Sequence, residues 1–553
     1  MNRRCNPKII FPAPPFAKGG LGGICFILPI QIRLSIPLAP FCKVGNGDFP
    51  QGNEAIVPRI TLRFIRATFA TLFLSILAAA CTVGPDYQPP VVASPNRWME
   101  TLPPSSGANT ARLANWWQGF QDAKLTALID RALQGNLDLQ VADARLVASR
   151  AQISATSAGL WPRLNASGGY QRERLSPNAL KGILGGAFQS GESSSSLLSS
   201  LGPIGTPFNL FQAGFDSSWE LDLFGGIKRQ QEAAVANAGA VEENRRDIAV
   251  TLAAEVARNY LELIGLQCRQ DIARHRLENQ RKTFDLVDHS YQEGFVGALD
   301  VKRAKTEMEV VEASIPAIEF QIKNNRHGLA LLLGLQPAAL ERELANLKAD
   351  IPPPPALPSG TPANLLRRRP DIRKAERSVA AANAMVGAAV AELFPKITLT
   401  GTVGLQSQSL GDLGSLSSGF YGFGPRLSLP IFQAGRLLAN IDSQEAGTAE
   451  ALKVYEKTVL SAFREVEDTL AALNGEYRRQ QSLLAAETTA RQSFEAASAI
   501  YQEAETELQT VLDTHRTWYD VQEQLLQSHL AWSTGHIALF KALGGGWEMA
   551  PPP

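Results

Sequence analysis

The chain repeats itself. Four short motifs of the first half return, in the same order, in the second half. The pairs are Leu160-Trp161-Pro162 with Leu393-Phe394-Pro395, Leu223-Phe224-Gly225 with Ile431-Phe432-Gln433, Tyr291-Gln292-Glu293 with Tyr501-Gln502-Glu503, and Leu332-Leu333-Gly334 with Ala542-Leu543-Gly544. The last two pairs are 210 residues apart, the first 233 and the second 208. A chain of 553 residues ordinarily suggests several domains, but this repetition predicts one architecture built from two similar halves.

Residues 57–80 have the parts of a secretory signal. A basic part is followed by an apolar run over 67–80, which ends in small residues directly before Cys81. The basic part contains Arg59, Arg63 and Arg66. The apolar run is too short to be a comfortable transmembrane helix. This segment therefore predicts export and cleavage.

Cys81 is typical of the acceptor residue of a bacterial lipoprotein. We predict that it carries covalent lipid, palmitate included, and that the chain needs no other cofactor and no metal. An ordinary signal peptide that happens to abut a cysteine is the alternative. Thr82 stands where Asp would favour retention in the inner membrane. The predicted location is therefore the outer membrane, with a lipid anchor and with the helices extending into the periplasm.

Residues 1–56 do not fit this plan. They are rich in Pro, Gly and Ile, and they place the signal far from the first residue. We expect that the start codon has been assigned too far upstream and that translation begins near Val57 or Leu62. We expect no folded structure before that point. The predicted organisation is a lipid-anchored segment over 81–120, a first repeat over 121–350, a second repeat over 351–548 and a tail over 549–553.

Charge and cysteine content exclude several classes of protein. After Cys81, Cys268 is the one further cysteine in the sequence, so no disulfide framework is possible despite an oxidising destination. The 53 basic and 53 acidic residues balance, so the chain lacks the net positive charge that is typical of proteins that bind nucleic acid. The six His residues lack a two-His metal spacing such as H-E-x-x-H. The sequence therefore predicts a protein that is not an enzyme.

Two stretches predict very long helices. Residues 226–291 and 436–501 contain no Pro and are rich in Ala, Glu, Arg, Gln and Leu. At about 1.5 Å per residue, a continuous helix of this length reaches about 100 Å. The apolar spacing is typical of coiled-coil-like elements. Shorter helices are expected at about 121–160, 300–335, 363–393 and 508–543.

Four segments change to the alternating pattern of β-strands. They lie at about 163–172, 207–224, 395–406 and 421–432. One face of each is apolar, and the other carries polar groups such as Asp216 and Glu220. In a soluble sandwich the polar face would meet solvent, and that reading stays open. With an outer-membrane address, alternation over about ten residues is the pattern of a barrel strand.

Four strands are too few to close a membrane barrel. Lipid cannot satisfy an open sheet edge, and bacterial barrels have about eight strands or more. Two chains would form a narrow barrel filled by side chains, whereas three would form a twelve-stranded barrel with a lumen. The sequence therefore predicts that the barrel is shared among chains.

Each long helix leads into a short turn and a return helix, with turns over 291–300 and 501–513. In the first turn Gly294 can adopt a left-handed conformation and Asp300 can cap the next helix. In the second turn Ala504 replaces that Gly, so a tighter or more helical turn is expected.

With these residues in place, the chain resembles the TolC-like outer-membrane efflux proteins, in particular the lipid-anchored NodT/OprM branch that serves RND-type pumps. The resemblance covers about residues 78–548. Its motifs are Cys81-Thr82-Val83-Gly84-Pro85-Asp86-Tyr87, Trp117 and Phe120, Trp219-Glu220-Leu221-Asp222-Leu223-Phe224-Gly225, Arg369-Pro370-Asp371-Ile372-Arg373-Lys374-Ala375-Glu376, Phe394-Pro395-Lys396-Ile397, and Ala542-Leu543-Gly544-Gly545-Gly546-Trp547.

The resemblance implies a fold of mixed α and transmembrane β structure, in which a homotrimer forms a twelve-stranded barrel and a periplasmic α-helical barrel. It also implies a role as exit channel of a tripartite multidrug efflux pump, which passes small toxic compounds from an RND pump and a periplasmic adaptor to the exterior. A channel for type I protein secretion, a passive trimeric porin and a periplasm-spanning tether are the alternatives.

In that family the helix turns form a periplasmic tip that stays closed until an adaptor docks. Tyr501 and Asp513 match the gating region, whereas Ala504 and Thr510 depart from its Gly and its acidic residue. We predict that copies of Asp513 form a carboxylate ring, and such rings attract cations. A solvated helix residue is the alternative. Gly294 and Asp300 are expected to shape the docking turn.

Overall fold

The computed structural model describes residues 82–101, 113–174, 207–345, 347, 350–356, 367–503 and 505–548. All of these residues lie in the unit Thr71–Pro553. The predicted signal segment, Cys81, the Ser-rich loop before residue 207 and Ala504 lie outside the described residues, as do 1–56 and 549–553. The predictions made for them stay predictions.

Helices and strands alternate in the order that the repetition predicts. The described elements are α1 (Ala123–Gly135), α2 (Leu137–Ser157), β1 (Arg163–Glu173), β2 (Phe208–Leu221), α3 (Gly226–Gln292), α4 (Ala298–Leu332), α5 (Pro370–Ala391), β3 (Lys396–Ser407), β4 (Gly419–Ser428), α6 (Arg436–Gln502) and α7 (Leu508–Ala542). Short 3-10 helices span Leu113–Phe120, Ala158–Leu160, Pro337–Leu340 and Leu416–Ser418.

The two long helices are confirmed. Helices α3 and α6 each contain 67 residues, which corresponds to about 100 Å. Each begins directly after a glycine with a left-handed backbone, Gly225 (φ 74°) and Gly435 (φ 82°), in the short segment that joins strand to helix. Helices α4 and α7, with 35 residues each, follow the turns at the other ends of α3 and α6. Within the described residues, none of the helices combines the length and apolar character needed to cross a bilayer.

The helices pack in a pattern that the duplication repeats. Helix α3 packs against α2, α4, α5 and α7, and α6 packs against α5 and α7. The largest apolar core surrounds the middle of α3. In that core the buried indole ring of Trp116 stacks on Phe540 of α7, with the ring centroids 5.3 Å apart. The core therefore ties the end of the 81–120 segment, just before the first repeat, to the end of the second repeat.

The single helix expected over about 121–160 is in fact two helices. Helix α1 ends at Gly135 and α2 begins at Leu137, with Asn136 between them in extended conformation. The side-chain oxygen of Asn136 accepts a hydrogen bond from the Leu139 amide (3.0 Å), and its amide group donates to the Leu332 carbonyl (2.9 Å). A helix-capping asparagine with a partner in α4 therefore breaks the run.

The four strands form one antiparallel sheet in the order β1-β2-β3-β4. Its register places all the predicted apolar side chains of the strands on one face and the polar ones on the other. The apolar face includes Tyr170, Phe215, Val403, Phe423 and Leu427, all exposed in the single chain. The polar face includes Asn165, Asp216, Glu220, Lys396 and Arg426. The predicted alternation is confirmed.

Two strands end earlier than predicted. Strand β2 ends at Leu221 and not at 224, because the carboxylate of Asp222 turns to accept hydrogen bonds from the amides of Ile227 (3.1 Å) and Lys228 (2.8 Å) at the start of α3. Strand β4 ends at Ser428 and not at 432. Pro430 follows two residues later, and proline has no N–H to continue a ladder.

The hairpin registers correct one motif pairing. Arg163 pairs with Ser218 in the first hairpin, and Lys396 pairs with Ser428 in the second. The equivalent strand residues are therefore 233 and 210 positions apart, and Gly225 and Gly435 are also 210 apart. Matching Leu223-Phe224-Gly225 to Ile431-Phe432-Gln433, 208 apart, was wrong by two residues, because strand pairing and helix start determine the register and a short apolar motif does not.

Residues 82–101 run along the helices as a strap. Its first part is held by the buried guanidinium of Arg229 on α3, which donates to the carbonyl of Val83 (3.1 Å) and to the carboxylate of Asp86 (2.7 Å). Further along, the Glu467 carboxylate of α6 accepts from the Met99 amide (2.8 Å). The strap thus joins α3 to α6.

Gly84 is required where this strap meets α5. It has φ 88°, and a Cβ atom there would lie 2.4 Å from the Cα of Gly387. We expect Gly84→Ala to lower the free energy of unfolding by about 2 kcal/mol or more, because a left-handed alanine and an overpacked contact both cost energy. Thermal unfolding of the detergent-solubilised protein measures this.

Gly475→Ala provides the matched control. Gly475 lies inside α6, and no atom would lie within 4 Å of its Cβ, so we expect equal or slightly higher stability. Equal melting temperatures for the two variants would contradict the assigned role of Gly84.

Candidate functional site

The turn between α3 and α4 contains two of the predicted site residues. As expected, Gly294 is left-handed (φ 82°). The Phe295 amide donates to the Ser290 carbonyl (2.9 Å) and the Gly294 amide to the Tyr291 carbonyl (3.0 Å). This is the hydrogen-bond pattern of a Schellman cap, which ends a helix abruptly. The turn presents Phe295 and Leu299 to solvent, with Phe295 79% exposed.

Asp300 is not the helix cap that the sequence suggested. Gly297 occupies the cap position of α4, and Asp300 is the third residue of the helix. Its amide donates to the Gly297 carbonyl (3.0 Å), and its carboxylate lies 3.7 Å from the guanidinium of Arg303. A carboxylate in the first helical turn still interacts favourably with the helix dipole.

The turn between α6 and α7 repeats the main hydrogen bond of the first. The Glu505 amide donates to the Ile500 carbonyl (3.1 Å), and these residues are the counterparts of Phe295 and Ser290 at 210 positions. The expected effect of Ala504 falls on a residue outside the described ones. The residues on either side of Ala504 form the same helix-ending hydrogen bond as the first turn.

Tyr501 lies where the two turns meet. It packs against a buried apolar cluster of Val287, Ala304, Leu508 and Leu512, which come from α3, α4 and α7. Burial raises the pKa of its phenol, and the negative charge of Asp300 raises it further. The structure therefore brings Tyr501 and Asp300 into one neighbourhood and joins all four helices beside the turns.

Thr510 and Asp513 lie on the exposed side of the first turns of α7. Both carboxylate oxygens of Asp513 are 3.0 Å from the amide nitrogen of Gln509, and the guanidinium of Arg516 is 3.7 Å away. Arg516 also pairs with Glu307 of α4. Within one chain Asp513 is thus a solvated carboxylate with a cationic neighbour.

The polar face of the sheet is a second candidate surface. The Asp216 carboxylate accepts a hydrogen bond from Asn165 (3.0 Å), and Lys396 lies 4.0 Å from Glu220. These charges are partly exposed and paired across strands, which suits a wall that faces water. In the described part of the chain, no group of three or more His, Cys, Asp or Glu side chains is arranged to hold a metal ion.

Sequence reasoning missed a buried polar cluster between α3, α6 and α7. His515 was counted among scattered histidines, but its side chain is buried and burial lowers its pKa to about 4. Gln280 of α3 and Tyr519 of α7 are its neighbours. The local signal was the sequence His515-Arg-Thr-Trp518-Tyr519, which is unusually aromatic for an exposed helix.

A family model described as outer membrane efflux protein matches residues 128–335 and 361–545, which include both turns and all the strands. The chain belongs to the outer membrane efflux protein family. It is similar to the probable efflux pump outer membrane protein SepC of Pseudomonas putida, with 33% identity over 503 residues that cover 88% of this chain and 98% of SepC. It is also similar to the cation efflux system protein CusC of Escherichia coli, with 30% identity over 481 residues that cover 86% and 98%.

Solved structures of the family agree with the fold. The outer-membrane channel OprN matches with a TM-score of 0.74 and 32% identity, covering 84% of this chain and 100% of OprN. The Neisseria gonorrhoeae MtrE outer membrane channel, in its open state, matches with a TM-score of 0.70 and 27% identity, covering 84% and 99%. The predicted family, fold class and outer-membrane location are confirmed. The protein is an outer-membrane channel for efflux, and its family consists of channel proteins and not of enzymes.

Proposed function

We propose that three copies of this chain form the exit duct of a tripartite pump, in which an inner-membrane RND-type pump and a periplasmic adaptor deliver small toxic compounds to it. The observation that carries this proposal is the open four-stranded sheet. Its outer strands, β1 and β4, each have one edge without a partner among the described strands. In lipid such an edge must be paired, and a further copy of the same sheet can pair it.

The duplication predicts how neighbouring copies join. Strands β1 and β2 are the counterparts of β3 and β4, so the β2–β3 contact inside one chain is the template for the contact of β4 with β1 of the next chain. Ser218 pairs with Thr400 across β2 and β3. With the offsets of 210 and 233 positions, the counterparts are Ser428 and Ser167. This register keeps the apolar faces continuous, because both residues lie on the polar face.

A disulfide bond between neighbouring copies tests the proposed pairing of β4 with β1 of the next chain. In a Cys268→Ser background, Ser167→Cys combined with Ser428→Cys is expected to give reducible dimers and trimers on oxidation, seen on a denaturing gel. Within one chain the two positions lie on opposite edge strands, about 14 Å apart across the sheet and about 27 Å apart along it, because Ser167 is level with Phe420 and not with Ser428. This separation exceeds the reach of a disulfide.

The matched control combines Ser428→Cys with Gln171→Cys, which lies on the same face of β1 but four residues, or about 13 Å, further along. Equal crosslinking of both pairs, or monomers from the first pair, would disprove the register.

The start of the strap supports lipid attachment at Cys81. The Val83 amide donates to the Phe224 carbonyl (3.1 Å), and Thr82 packs against Gly225, where β2 leads into α3. Residue 82 is therefore held at the base of the sheet. A lipid on the preceding cysteine would enter the membrane beside the barrel.

The exposed turns support docking of an adaptor. Phe295 and Leu299 expose apolar side chains at the first turn, and aromatic side chains such as that of Phe295 are enriched in protein interfaces. Relatives that this chain is similar to include the cation efflux system protein CusC, a toluene efflux pump outer membrane protein of Pseudomonas putida and a pyoverdine export outer membrane protein of Pseudomonas aeruginosa. Such different cargoes in one family favour a shared duct whose selectivity lies in the inner-membrane pump.

A photoreactive residue at Glu503, an exposed position next to the second turn, identifies the partner in cells. We expect mass spectrometry of the crosslinked products to find an adaptor of a proton-driven RND pump. Capture of an adaptor of an ABC transporter would move the function to protein secretion. Self-crosslinks alone would favour the passive porin.

Three copies of Asp513 are proposed to form the narrowest carboxylate ring of the closed tip. We expect Asp513→Ala to raise single-channel conductance in planar bilayers and vancomycin entry in cells, because a charged constriction is removed. Asp520→Ala is the control, since Asp520 is an exposed residue of α7 two turns further along the same face. No increase with Asp513→Ala, or an equal increase with both variants, would refute the ring.

A further inference from the structure

The buried cluster around His515 lies a short distance from the turns. His515 is seven residues into α7, or about 10 Å from the start of the helix, and Gln280 is twelve residues before the end of α3, or about 18 Å. Both side chains are almost completely buried, with 3% of His515 and 2% of Gln280 exposed. The role proposed for Asp513 at the tip does not use this cluster.

The hydrogen bond at its centre defines the state of the imidazole. The Gln280 side-chain amide nitrogen lies 3.2 Å from His515 Nδ1. With the amide N–H as donor, Nδ1 accepts and the proton of the neutral ring is on Nε2, which has no hydrogen-bond partner among the described residues. Burial, with the nearby cation of Arg276, lowers the pKa of His515 to about 4. The ring is therefore neutral at ordinary periplasmic pH, as this bond requires.

Other contacts join α7 to α3. The Asn279 amide group donates to the hydroxyl of Tyr519 (2.9 Å), and the guanidinium of Arg276 lies 5.5 Å from the centre of the Tyr519 ring. One turn further along, Arg269 pairs with Glu523 at 2.6 Å. These contacts form a continuous strip of hydrogen bonds and ion pairs between the two helices.

Contacts on the other side join α7 to α6. The ring of Phe494 lies 4.6 Å from the ring of His515 and 5.3 Å from that of Trp518, measured between centroids. The Trp518 indole N–H donates to the carboxylate of Glu487 (3.0 Å). The cluster therefore joins the α6–α7 hairpin to α3 of the α3–α4 hairpin.

The other repeat lacks this cluster. At 210 positions earlier, His515, Trp518 and Tyr519 correspond to Lys305, Met308 and Glu309 of α4. Gln280 corresponds to Ala490 of α6. Lys305 is exposed and lies 3.8 Å from Glu309 of its own helix. The aromatic and amide groups were therefore not required by the duplicated helix packing, and they occur where α7 meets α3.

We propose that the His515 cluster is a clamp that holds the α6–α7 hairpin against α3 and so keeps the turn end of the channel closed. The inference rests on the proposed function, since it requires a channel that opens at this end. The turns themselves are short, so widening this end requires one hairpin to move relative to the other. That movement separates α7 from α3 at the clamp.

Single-channel conductance of the full-length trimer in planar bilayers tests the clamp, because the value is measured per inserted channel and is independent of yield. We expect His515→Ala to raise the closed-state conductance several-fold, because it removes the ring that contacts both α3 and α6. Tyr519→Phe removes only the hydroxyl that Asn279 binds, so a smaller increase is expected. Lys305→Ala, at the corresponding position of α4, is the matched control and is expected to leave conductance unchanged.

A second variant separates a clamp from general loss of structure. His515→Phe keeps an aromatic ring between Phe494 and Tyr519 but cannot accept the hydrogen bond from Gln280. We expect its closed-state conductance to rise less than that of His515→Ala, because ring packing is retained while the bond to Gln280 is lost. Gln280→Ala on the facing helix loses the same bond and is expected to match His515→Phe.

Two results would overturn the clamp. One is wild-type conductance for both His515→Ala and Gln280→Ala, and the other is an equal increase for Lys305→Ala. Failure of the proposed function would look different, because crosslinking from Glu503 would then find no adaptor of an RND pump, or the wild-type protein itself would form no trimers and no channels.

Discussion

The unpaired backbone at the two edges of the sheet is the constraint on which the remaining structure depends. A sheet with one apolar face, carrying side chains such as Phe423 and Leu427 that are exposed in the single chain, is suited to lipid. In lipid an open row of N–H and C=O groups cannot be hydrated. Pairing with further copies, as proposed, would satisfy these edges. The polar faces then enclose water.

The same requirement determines how the helices begin. Strands β2 and β4 each lead within a few residues into a helix of about 100 Å, and the left-handed Gly225 and Gly435 lie directly before these helices. The strap over 82–101 stabilises the junction, because Arg229 binds its backbone at the base of the sheet. A single buried guanidinium with carbonyl and carboxylate partners thus connects the membrane end to the helical part.

The two repeats share one architecture, and some of the corresponding residues that differ between them lie where the two halves have different roles. The two hairpin registers and the two helix stops agree at fixed offsets, so these parts serve the shared architecture. The two halves differ at the turn end, where Ala504 replaces a glycine, and at His515, Trp518 and Tyr519, whose counterparts are polar or flexible. Different demands on α4 and α7 explain the difference.

Local pattern in the sequence was sufficient for the long helices, the sheet alternation and the family, because period, proline content and motif order are properties of neighbouring residues. It also indicated the left-handed Gly294. It misplaced Asp300, which is the third residue of α4, and it missed the break at Asn136, whose side chain bonds to Leu332 far along the chain. The cluster of Gln280 and His515 joins residues 235 positions apart. Only the tertiary structure decided these features, because a cap or a buried hydrogen bond depends on which distant group the fold brings within about 3 Å.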